Sequence, residues 1–334
     1  MNDGLVTVVI PAHNEESAIA KCVRSIQAQE YEDLQIIVVD GASTDSTADV
    51  VLNLADEDPR IELIDNPLKL IPVSLNRAVD AAKGRWLVRV DAHSTVPADY
   101  VGRAVQHLST GGWGGVGGRK DGVGQSLTGE AIAVAMGSRF GVGNSTYHHG
   151  VETQIVDHIP FGCYPVELIR SVGGWDENLA VNQDFEFDQR VRKSGHELLF
   201  DPDLRIDWQS RQTLPDLYRQ YRRYGRGKTR VFRLHPDSIK PRQVIPAGVV
   251  AALVGAVVLA PRWPRLSAAV TLPYAAFLAA GTLIEQRNLD SVAAKVRLPG
   301  AFAAMHLGFG EGLWRGVADI VGEELSNAGP TDTP

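Results

Sequence analysis

The fold is decided by residues 5–15, which read LVTVVIPAHNE. The first part of this stretch, Leu5–Ile10, is almost entirely apolar, and a polar loop follows it at once. A continuous apolar run predicts a strand that is buried on both faces, as in a parallel sheet between layers of helices. The polar loop predicts that a ligand site begins where this strand ends.

The same arrangement recurs further along the chain. We predict further strands at Leu34–Val39 and Trp86–Val90, and helices at Ser17–Ala28, Asp45–Leu54 and Val73–Ala82. Strands and helices in alternation imply right-handed crossovers, and therefore a doubly wound α/β sheet.

Acidic residues follow each of the three predicted strands. The segments are Pro11-Ala-His-Asn-Glu15, Asp40-Gly-Ala-Ser-Thr-Asp45 and Asp91-Ala-His93. Ligands of such sheets bind beyond the carboxyl ends of the strands. Stability does not require an acid at each of these positions, so we predict one shared site at this edge.

Composition excludes some classes of protein. The net charge of −7 lacks the basic footprint of a protein whose main partner is nucleic acid. The two cysteines, Cys22 and Cys163, form neither a zinc-ligand spacing nor a disulfide framework, which favours a reducing compartment. Residues 1–5 contain no basic segment before an apolar run, so we expect no signal peptide and a cytoplasmic first domain.

Beyond residue 243 the sequence becomes apolar. Val244–Ala260 and Leu266–Ile284 contain no charged residue, and each approaches the roughly 20 residues that span a bilayer. We predict a transmembrane hairpin, with buried core helices as the alternative. Basic residues are more numerous at its outer ends than in its short loop, which predicts that both ends are cytoplasmic. A third stretch, Leu298–Trp314, is interrupted by His306 and Glu311 and predicts an interfacial or re-entrant helix.

The strand-end motifs together resemble the family 2 glycosyltransferases of the GT-A fold, and among them the membrane-attached, succinoglycan-type glucosyltransferases of bacterial exopolysaccharide assembly. The motifs extend from Thr7 to about Lys228. The resemblance implies nucleotide-binding roles for residues of the first two strand ends: Pro11, Ala12, Asn14, Glu15, Asp40 and Ser43. Asp40 would accept a hydrogen bond from the imide N–H of uracil, because a carboxylate is only an acceptor. For Ser43 and Asp45, capping of the next helix is the alternative role.

Asp91-Ala-His93 occupies the position of the Asp-x-Asp metal motif in this family. A divalent ion bridging the two phosphates would neutralise them as the nucleotide diphosphate leaves. The second acid is a histidine here, and imidazole suits Mn²⁺ better than Mg²⁺. The resemblance therefore implies Mn²⁺ (or Mg²⁺) held by Asp91, with His93 as a direct or water-mediated ligand.

Two later segments resemble the acceptor side of the family's site. Gly173-Gly-Trp-Asp-Glu177 and Asn182-Gln-Asp-Phe-Glu186 imply that Trp175, Asp176 and Gln183 belong to the acceptor region and that Asp184 is the general base. A single base opposite the leaving group implies inversion. The alternative is that Asp184 caps a helix at Phe185–Ser194.

Gln220-Tyr-Arg-Arg-Tyr224 is similar to the Gln-x-x-Arg-Trp motif, with Tyr224 in place of tryptophan. Guanidinium forks suit phosphate oxygens, which predicts contact with the donor or acceptor diphosphate. The predicted residues are Gln220, Arg223, Tyr224, Arg226 and Lys228. A solvated or lipid-facing stripe is the alternative. His148, His149, Asp157 and His158 match no metal-ligand spacing, and we assign them to an acceptor loop.

We therefore predict a GT-A catalytic domain at 1–240, a membrane region at 241–325 with its last helix at about 298–320, and a disordered tail at 326–334. The Gly-rich middle, residues 111–164, predicts an irregular loop, flexible or closely packed. The predicted activity is inverting transfer of a hexose from a UDP-sugar to a polyprenyl-diphosphate-linked saccharide at the inner (plasma) membrane. The alternatives are a polyprenyl-phosphate glycosyltransferase and a non-catalytic nucleotide-sugar-binding membrane subunit.

Overall fold

The computed structural model describes residues 4–327. The chain divides into two compact units, the first within Met1–Asp121 and Ser145–Gln209 and the second within Gly122–Asn144 and Ser210–Pro334. Residues 328–334, most of the predicted tail, lie outside the described residues, whereas residues 326 and 327 end the last helix.

Among the described residues, the first unit is built on a nine-stranded mixed sheet. The strands are β1 (Val6–Ala12), β2 (Leu34–Asp40), β3 (Ile61–Asp65), β4 (Trp86–Arg89), β5 (Ser94–Thr95), β6 (Gly115–Val123), β7 (Gln154–Val156), β8 (Cys163–Pro165) and β9 (Leu198–Gln209). Their order is β3-β2-β1-β4-β8-β6-β9-β5, and β7 also pairs with β9. The first four strands are parallel, whereas β8 is antiparallel to β4 and to β6.

Helices cover this sheet. Those of the first unit are α1 (Ile19–Gln27), α2 (Thr47–Glu57), α3 (Ile71–Ala81), α4 (Tyr100–Gly111), α7 (Thr146–His149), α8 (Val166–Ser171) and α9 (Gln183–Lys193). All seven residues of β2 are buried, as a strand covered on both faces requires. The three predicted strands and the α/β sheet are thus confirmed, although only β1–β4 are mutually parallel and the sheet as a whole is mixed. Strand β3 was absent from the prediction.

The prediction of an irregular Gly-rich middle was wrong in part, because β6, β8 and several helices lie in it. The glycines of β6 reflect close packing. A Cβ atom at Gly117 would lie 2.5 Å from the Cβ of Ile159, and one at Gly118 would overlap the carbonyl group of Leu204. Only glycine leaves room for these neighbours, so the residues that suggested a loop in fact permit a buried strand.

The second unit is helical. It contains α5 (Leu127–Gly137), α6 (Arg139–Val142), α10 (Leu214–Leu234), α11 (Pro241–Leu259), α12 (Pro264–Glu285) and α13 (Val292–Asn327). The backbones of α10 and α13 come close because Gly308 and Gly312 of α13 face the carbonyl groups of Tyr218 and Arg222. The second pair lies four residues after the first in both helices, so α10 and α13 run parallel.

By length and composition, α11 and α12 could each cross a membrane. Only 11% and 6% of their most apolar segments are buried, which is unlike the core helix of a soluble protein. The third predicted stretch, Leu298–Trp314, lies inside α13. Its residues Leu298, Phe302 and Met305 are buried, so one face of α13 is packed against protein.

Candidate active site

The ends of β1, β2 and β4 meet at one edge of the sheet. In the parallel register, Ala12 lies beside Asp40, and Val9 lies beside Arg89 on the other side of β1. Pro11 and Ala12 are the last residues of β1, and the carbonyl group of Ala12 accepts a hydrogen bond from Gly41 N at 2.7 Å. The predicted loops therefore leave the sheet side by side.

The loops after β1 and β2 are tied to each other. The backbone N–H of Asn14 donates to Ser43 Oγ at 2.9 Å, and the Ser43 hydroxyl donates to Asp40 Oδ1 at 2.5 Å. Ser43 N donates to the other oxygen of Asp40 at 3.0 Å. Asn14 has a left-handed backbone, φ 54°, which asparagine adopts more readily than most residues. Asp40 is buried and already accepts two hydrogen bonds, and its predicted contact with uracil would use its remaining lone pairs.

Asp45 reinforces this connection. It accepts hydrogen bonds from Glu16 N at 3.2 Å and from the backbone and hydroxyl groups of Thr47 at 3.0 and 2.5 Å. The Thr47 hydroxyl is the main cause that lowers the pKa of the Asp45 carboxyl. Thr47 Oγ1 in turn accepts from Glu15 N at 2.8 Å, so Asp45 and Thr47 together hold the backbone of Glu15.

The metal motif lies directly beside that glutamate. His93 Nδ1 is 3.0 Å from Glu15 Oε1, and both side chains are about a quarter exposed, at 26% each. An ionised carboxylate can only accept, so Nδ1 of His93 is the donor in this contact, and in the tautomer protonated at Nδ1 alone it is Nε2 that carries the lone pair. Histidines that bind metals are oriented by such a carboxylate in the same way. The Glu15–His93 pair therefore suits a role of His93 as a metal ligand.

Asp91 is held by an arginine that the sequence analysis did not single out. Arg89 Nε and Nη2 donate to Asp91 Oδ1 at 3.2 and 3.0 Å. The Arg89 side chain is only 5% exposed and that of Asp91 17%. No described residue is hydrogen-bonded to Asp91 Oδ2. Asp91 Oδ2 and His93 Nε2 are an oxygen and a nitrogen donor of the kind that Mn²⁺ accepts, so the residues fit such an ion.

Aromatic rings flank the motif. The ring of Trp208 lies 5.5 Å from that of His93, and Lys120 Nζ lies 3.7 Å above the Trp208 ring. Lys120 Nζ is also 5.1 Å from the ring of Phe161, and the Arg89 guanidinium is 5.3 Å from the same ring. Two cations thus lie close to the metal motif, each stabilised by an aromatic face.

Helix α9 carries the predicted base. Asn182, with a left-handed backbone of φ 60°, precedes it, and Asp184 lies in its first turn. The N-terminal cap position thus belongs to Asn182 and not to Asp184. The guanidinium of Arg89 interacts electrostatically with Asp184 as well as with Asp91. The structure therefore brings the predicted base and the predicted metal ligand under the influence of one buried charge.

One turn further along α9, Asp188 has a different environment. It is fully buried and accepts hydrogen bonds from His158 Nδ1 at 2.7 Å, Ile159 N at 2.9 Å and the Tyr164 hydroxyl at 2.7 Å. Burial raises the pKa of the Asp188 carboxyl, which these hydrogen bonds oppose. Asp188 anchors the segment before β8 to α9, and His158, which we assigned to an acceptor loop, is part of that anchor.

The predicted acceptor residues are closely tied to the core. Trp175 is buried and stacks on Phe187 with ring centroids 4.5 Å apart, and its backbone N–H donates to Asn76 at 2.8 Å. Asp176 accepts from Asn178 N at 2.9 Å within a turn, and Gln183 is buried at the start of α9. Their contact with an acceptor stays a prediction.

The remaining predicted residues lie on α10 in the second unit. Gln220 is buried and donates to the Tyr224 hydroxyl at 3.0 Å, and Lys228 is buried as well. Arg226 pairs with Asp319 of α13 at 2.5 Å, whereas Arg223 is exposed. An arginine that is already paired has less charge to offer a phosphate, so Arg223 is the better candidate of the two.

Arg89, Lys120, Phe161 and Trp208 were missed because no motif contains them. A signal for Arg89 does exist in the sequence. It interrupts the apolar run Trp86–Val90 two residues before an acid, and residues two apart lie on the same face of a strand. The other three come from distant parts of the chain and carry no comparable signal.

A sheet of this order, with acids at the carboxyl ends of its parallel strands, is typical of the GT-A fold. In agreement, a mannosyltransferase PcManGT from Pyrobaculum calidifontis, solved in complex with GDP-Man and Mn²⁺, matches this fold with a TM-score of 0.59 and 18% identity over 95% of this chain and 88% of its own.

The chain belongs to the family 2 glycosyltransferases. Residues 7–162 match the model Glycosyl transferase family 2, and residues 86–283 match Glycosyl transferase family group 2. The succinoglycan biosynthesis protein ExoA of Rhizobium meliloti (strain 1021) is 32% identical over 94% of this chain and 95% of its own length. A dolichyl N-acetyl-alpha-D-glucosaminyl phosphate 3-beta-D-2,3-diacetamido-2,3-dideoxy-beta-D-glucuronosyltransferase of Methanococcus voltae is 24% identical over 68% of this chain and 74% of its own length.

Proposed function

We propose that this glycosyltransferase inverts the anomeric centre of a hexose as it transfers the sugar from UDP to a polyprenyl-diphosphate-linked saccharide in exopolysaccharide synthesis. The observation that carries the proposal is the Glu15–His93 pair beside Asp91. The pair leaves Nε2 of His93 as a possible nitrogen donor, and Asp91 Oδ2 is a possible oxygen donor at the same end of the sheet, where ligands of such sheets bind.

The donor set accounts for the expected metal preference. Among the described residues, no group of three or more histidine, cysteine or acidic side chains is arranged to hold a metal ion. Asp91 and His93 would therefore be the protein ligands, and phosphate oxygens and water would complete the shell, as is usual for ions that act on nucleotides. A bound Mn²⁺ would supply positive charge to the leaving diphosphate.

Asp184 would act as the base of the reaction. Its carboxylate accepts the proton of the acceptor hydroxyl as that oxygen forms a bond to the anomeric carbon. The bond from the same carbon to the β-phosphate oxygen breaks, and UDP departs on the opposite face. Attack and departure on opposite faces invert the anomeric centre. The buried Arg89 guanidinium interacts electrostatically with Asp184, so a positive charge lies near the proposed base.

The acceptor assignment depends on the second unit and on the relatives. The exposed apolar helices α11 and α12 suit a membrane hairpin, with Lys240, Arg242, Lys295 and Arg297 at its outer ends and Arg262 and Arg265 in its short loop. This asymmetry favours an inner-membrane protein whose first unit is cytoplasmic. The name of the Methanococcus voltae relative specifies a lipid-phosphate-linked sugar, and that of ExoA specifies succinoglycan biosynthesis.

A polyprenyl phosphate that receives the sugar directly is the second candidate, because a membrane hairpin is equally compatible with that lipid acceptor. The solved mannosyltransferase contains GDP-Man, so GDP-mannose is the alternative donor to test. A non-catalytic binding subunit is disfavoured because Asp40, Asp91 and Asp184 are all present.

The test is a panel of UDP- and GDP-sugars with Mn²⁺, assayed for nucleotide release by the full-length protein in membranes with and without added lipid extract. We expect release of UDP from one UDP-hexose, and only when lipid is present. Turnover confined to GDP-mannose would contradict the uracil role of Asp40. Equal transfer to a soluble sugar would contradict the lipid-linked acceptor.

A further inference from the structure

The strand that leads into the metal motif contains a buried charge. Arg89 is the last residue of β4, and its side chain is 5% exposed. A buried guanidinium is costly unless it is paired and hydrogen-bonded. Its neighbours on the strand, Leu87 and Val88, are fully buried apolar residues, so packing alone would favour an apolar residue at this position too.

The contacts of Arg89 are directed at one atom. Both Nε and Nη2 donate to Oδ1 of Asp91, although a guanidinium fork commonly spreads over both oxygens of a carboxylate. Asp91 Oδ1 is therefore occupied, while no described residue is hydrogen-bonded to Oδ2. One oxygen of the Asp91 carboxylate is therefore hydrogen-bonded to Arg89, and the other is available to a ligand.

The third nitrogen of Arg89 is not satisfied. Nη1 is buried and has no hydrogen-bond partner among the described residues. Its charge is compensated by the Asp91 carboxylate, with Nη2 3.0 Å from Oδ1, and by the face of the Phe161 ring, 5.3 Å from the guanidinium. The protein keeps this cation despite an unmet hydrogen bond, which points to a role beyond stability.

We propose that Arg89 is a positioning residue for Asp91: it holds Oδ1, leaves Oδ2 for a divalent cation, and makes cation binding depend on the donor's diphosphate. The proposal rests on the proposed function. A fixed positive charge beside Asp91 opposes the approach of a bare divalent ion. The negative charges of the diphosphate offset that repulsion, so metal and nucleotide are expected to bind together.

The test measures Mn²⁺ affinity from the electron paramagnetic resonance signal of free Mn²⁺, with the full-length protein in detergent, with and without UDP. In the wild type we expect UDP to tighten Mn²⁺ binding at least about tenfold. In Arg89→Met the repulsion is gone, so Mn²⁺ alone should bind about tenfold more tightly than to the wild type, and the effect of UDP should shrink. Turnover should nevertheless fall about 100-fold, because Asp91 is no longer held.

Arg89→Lys separates charge from geometry. A lysine keeps the positive charge but cannot direct two N–H groups at one oxygen. Mn²⁺ alone should therefore bind as weakly as to the wild type, while turnover falls about tenfold. The matched control is Arg85→Met, which removes an exposed arginine immediately before the first residue of the same strand and should leave both Mn²⁺ affinity and turnover unchanged.

Four outcomes would overturn the proposal. In a folded Arg89→Met protein, nucleotide-free Mn²⁺ affinity that is equal to or weaker than that of the wild type would reduce Arg89 to a structural residue. If that variant does not fold, wild-type turnover in Arg89→Lys would have the same meaning. A wild type that binds UDP or GDP but never Mn²⁺ would contradict both the metal dependence in the proposed function and the role of Arg89. Strong coupling that survives in Arg89→Met refutes the role of Arg89 alone.

Discussion

Two regions of this molecule are rich in charge, and they use it differently. On the helix pair α10–α13, Arg226, Arg230 and Arg233 face the acids Asp319, Glu323 and Glu324, and the charges largely satisfy each other. At the edge of the sheet, Asp91 Oδ2 and Arg89 Nη1 have no hydrogen-bond partner among the described residues. Charge that is paired internally stabilises a fold, whereas charge with unused bonding capacity marks a ligand site.

Within the candidate site, the largest effect of a substitution on turnover is expected at Asp184. Asp184→Asn removes the carboxylate that accepts the acceptor's proton but keeps its size, so turnover should fall about 1,000-fold while donor binding is retained. Steady-state kinetics and UDP-sugar titration by calorimetry give both quantities. Gln183→Glu is the neighbouring control and should be tolerated. An Asp184→Asn enzyme with near-normal kcat would remove Asp184 from the mechanism.

Removal of the metal tests whether the site at the edge of the sheet depends on a divalent ion. EDTA should abolish turnover in the wild type, and added Mn²⁺ should restore it better than Mg²⁺. His93→Asp replaces imidazole by an oxygen ligand, so the ratio of activity with Mn²⁺ to that with Mg²⁺ should fall about tenfold. Assays with each ion at saturation measure this ratio. Equal rates with the two ions in the wild type would exclude His93 as a direct ligand.

Asp188 is an internally satisfied acid only one turn from Asp184. Three donors converge on the Asp188 carboxylate. In Asp188→Asn, one of the two oxygens becomes an N–H₂ group, which cannot accept a hydrogen bond from these donors. We expect a loss of about 3 kcal/mol in the free energy of unfolding, measured by urea denaturation. Tyr164→Phe removes one of these hydrogen bonds and should cost about 1 kcal/mol. A stable Asp188→Asn variant would show that this acid is not a structural anchor.

The smallest effect is expected on the helix pair. Arg230 and Glu323 are 54% and 49% exposed and form an ion pair at 3.2 Å. A double-mutant cycle with Arg230→Met and Glu323→Gln should give a coupling free energy below about 1 kcal/mol that weakens with salt. Turnover should not change. A large loss of activity in either variant would mean that α10–α13 charges also belong to a ligand site.

Much of the fold could be predicted from the sequence because buried parallel strands have a distinctive pattern. Leu34–Val39 was predicted and is strand β2 with one further residue, since an apolar run in Val and Ile leaves few alternatives. β3 was missed because its residues Glu62 and Asp65 break the apolar run at an outer strand. β6 was missed because its glycines, which local chemistry associates with loops, are required by neighbours more distant in the chain.

The site was predictable where motifs are local. Asp91 and His93 were singled out because they lie two residues apart directly after a strand, and their role as metal ligands stays a prediction. The contact between Glu15 and His93 could not be predicted, since it depends on how two loops are tied together through Asp45 and Thr47. Aromatic residues such as Trp208 reach the motif only through the pairing of β9 with β5, which no local pattern encodes.

The pairing of β9 with β5 also determines when the candidate site can be completed during synthesis of the chain. β5 follows the metal motif directly, and its Ser94 lies beside Trp208 on β9. The four parallel strands β1–β4 are all synthesised within the first third of the chain, whereas β9 ends at Gln209. The metal motif gains its flanking strand and its aromatic neighbour only after Trp208 emerges. A nascent chain therefore cannot hold a finished site until the last strand of the sheet has left the ribosome.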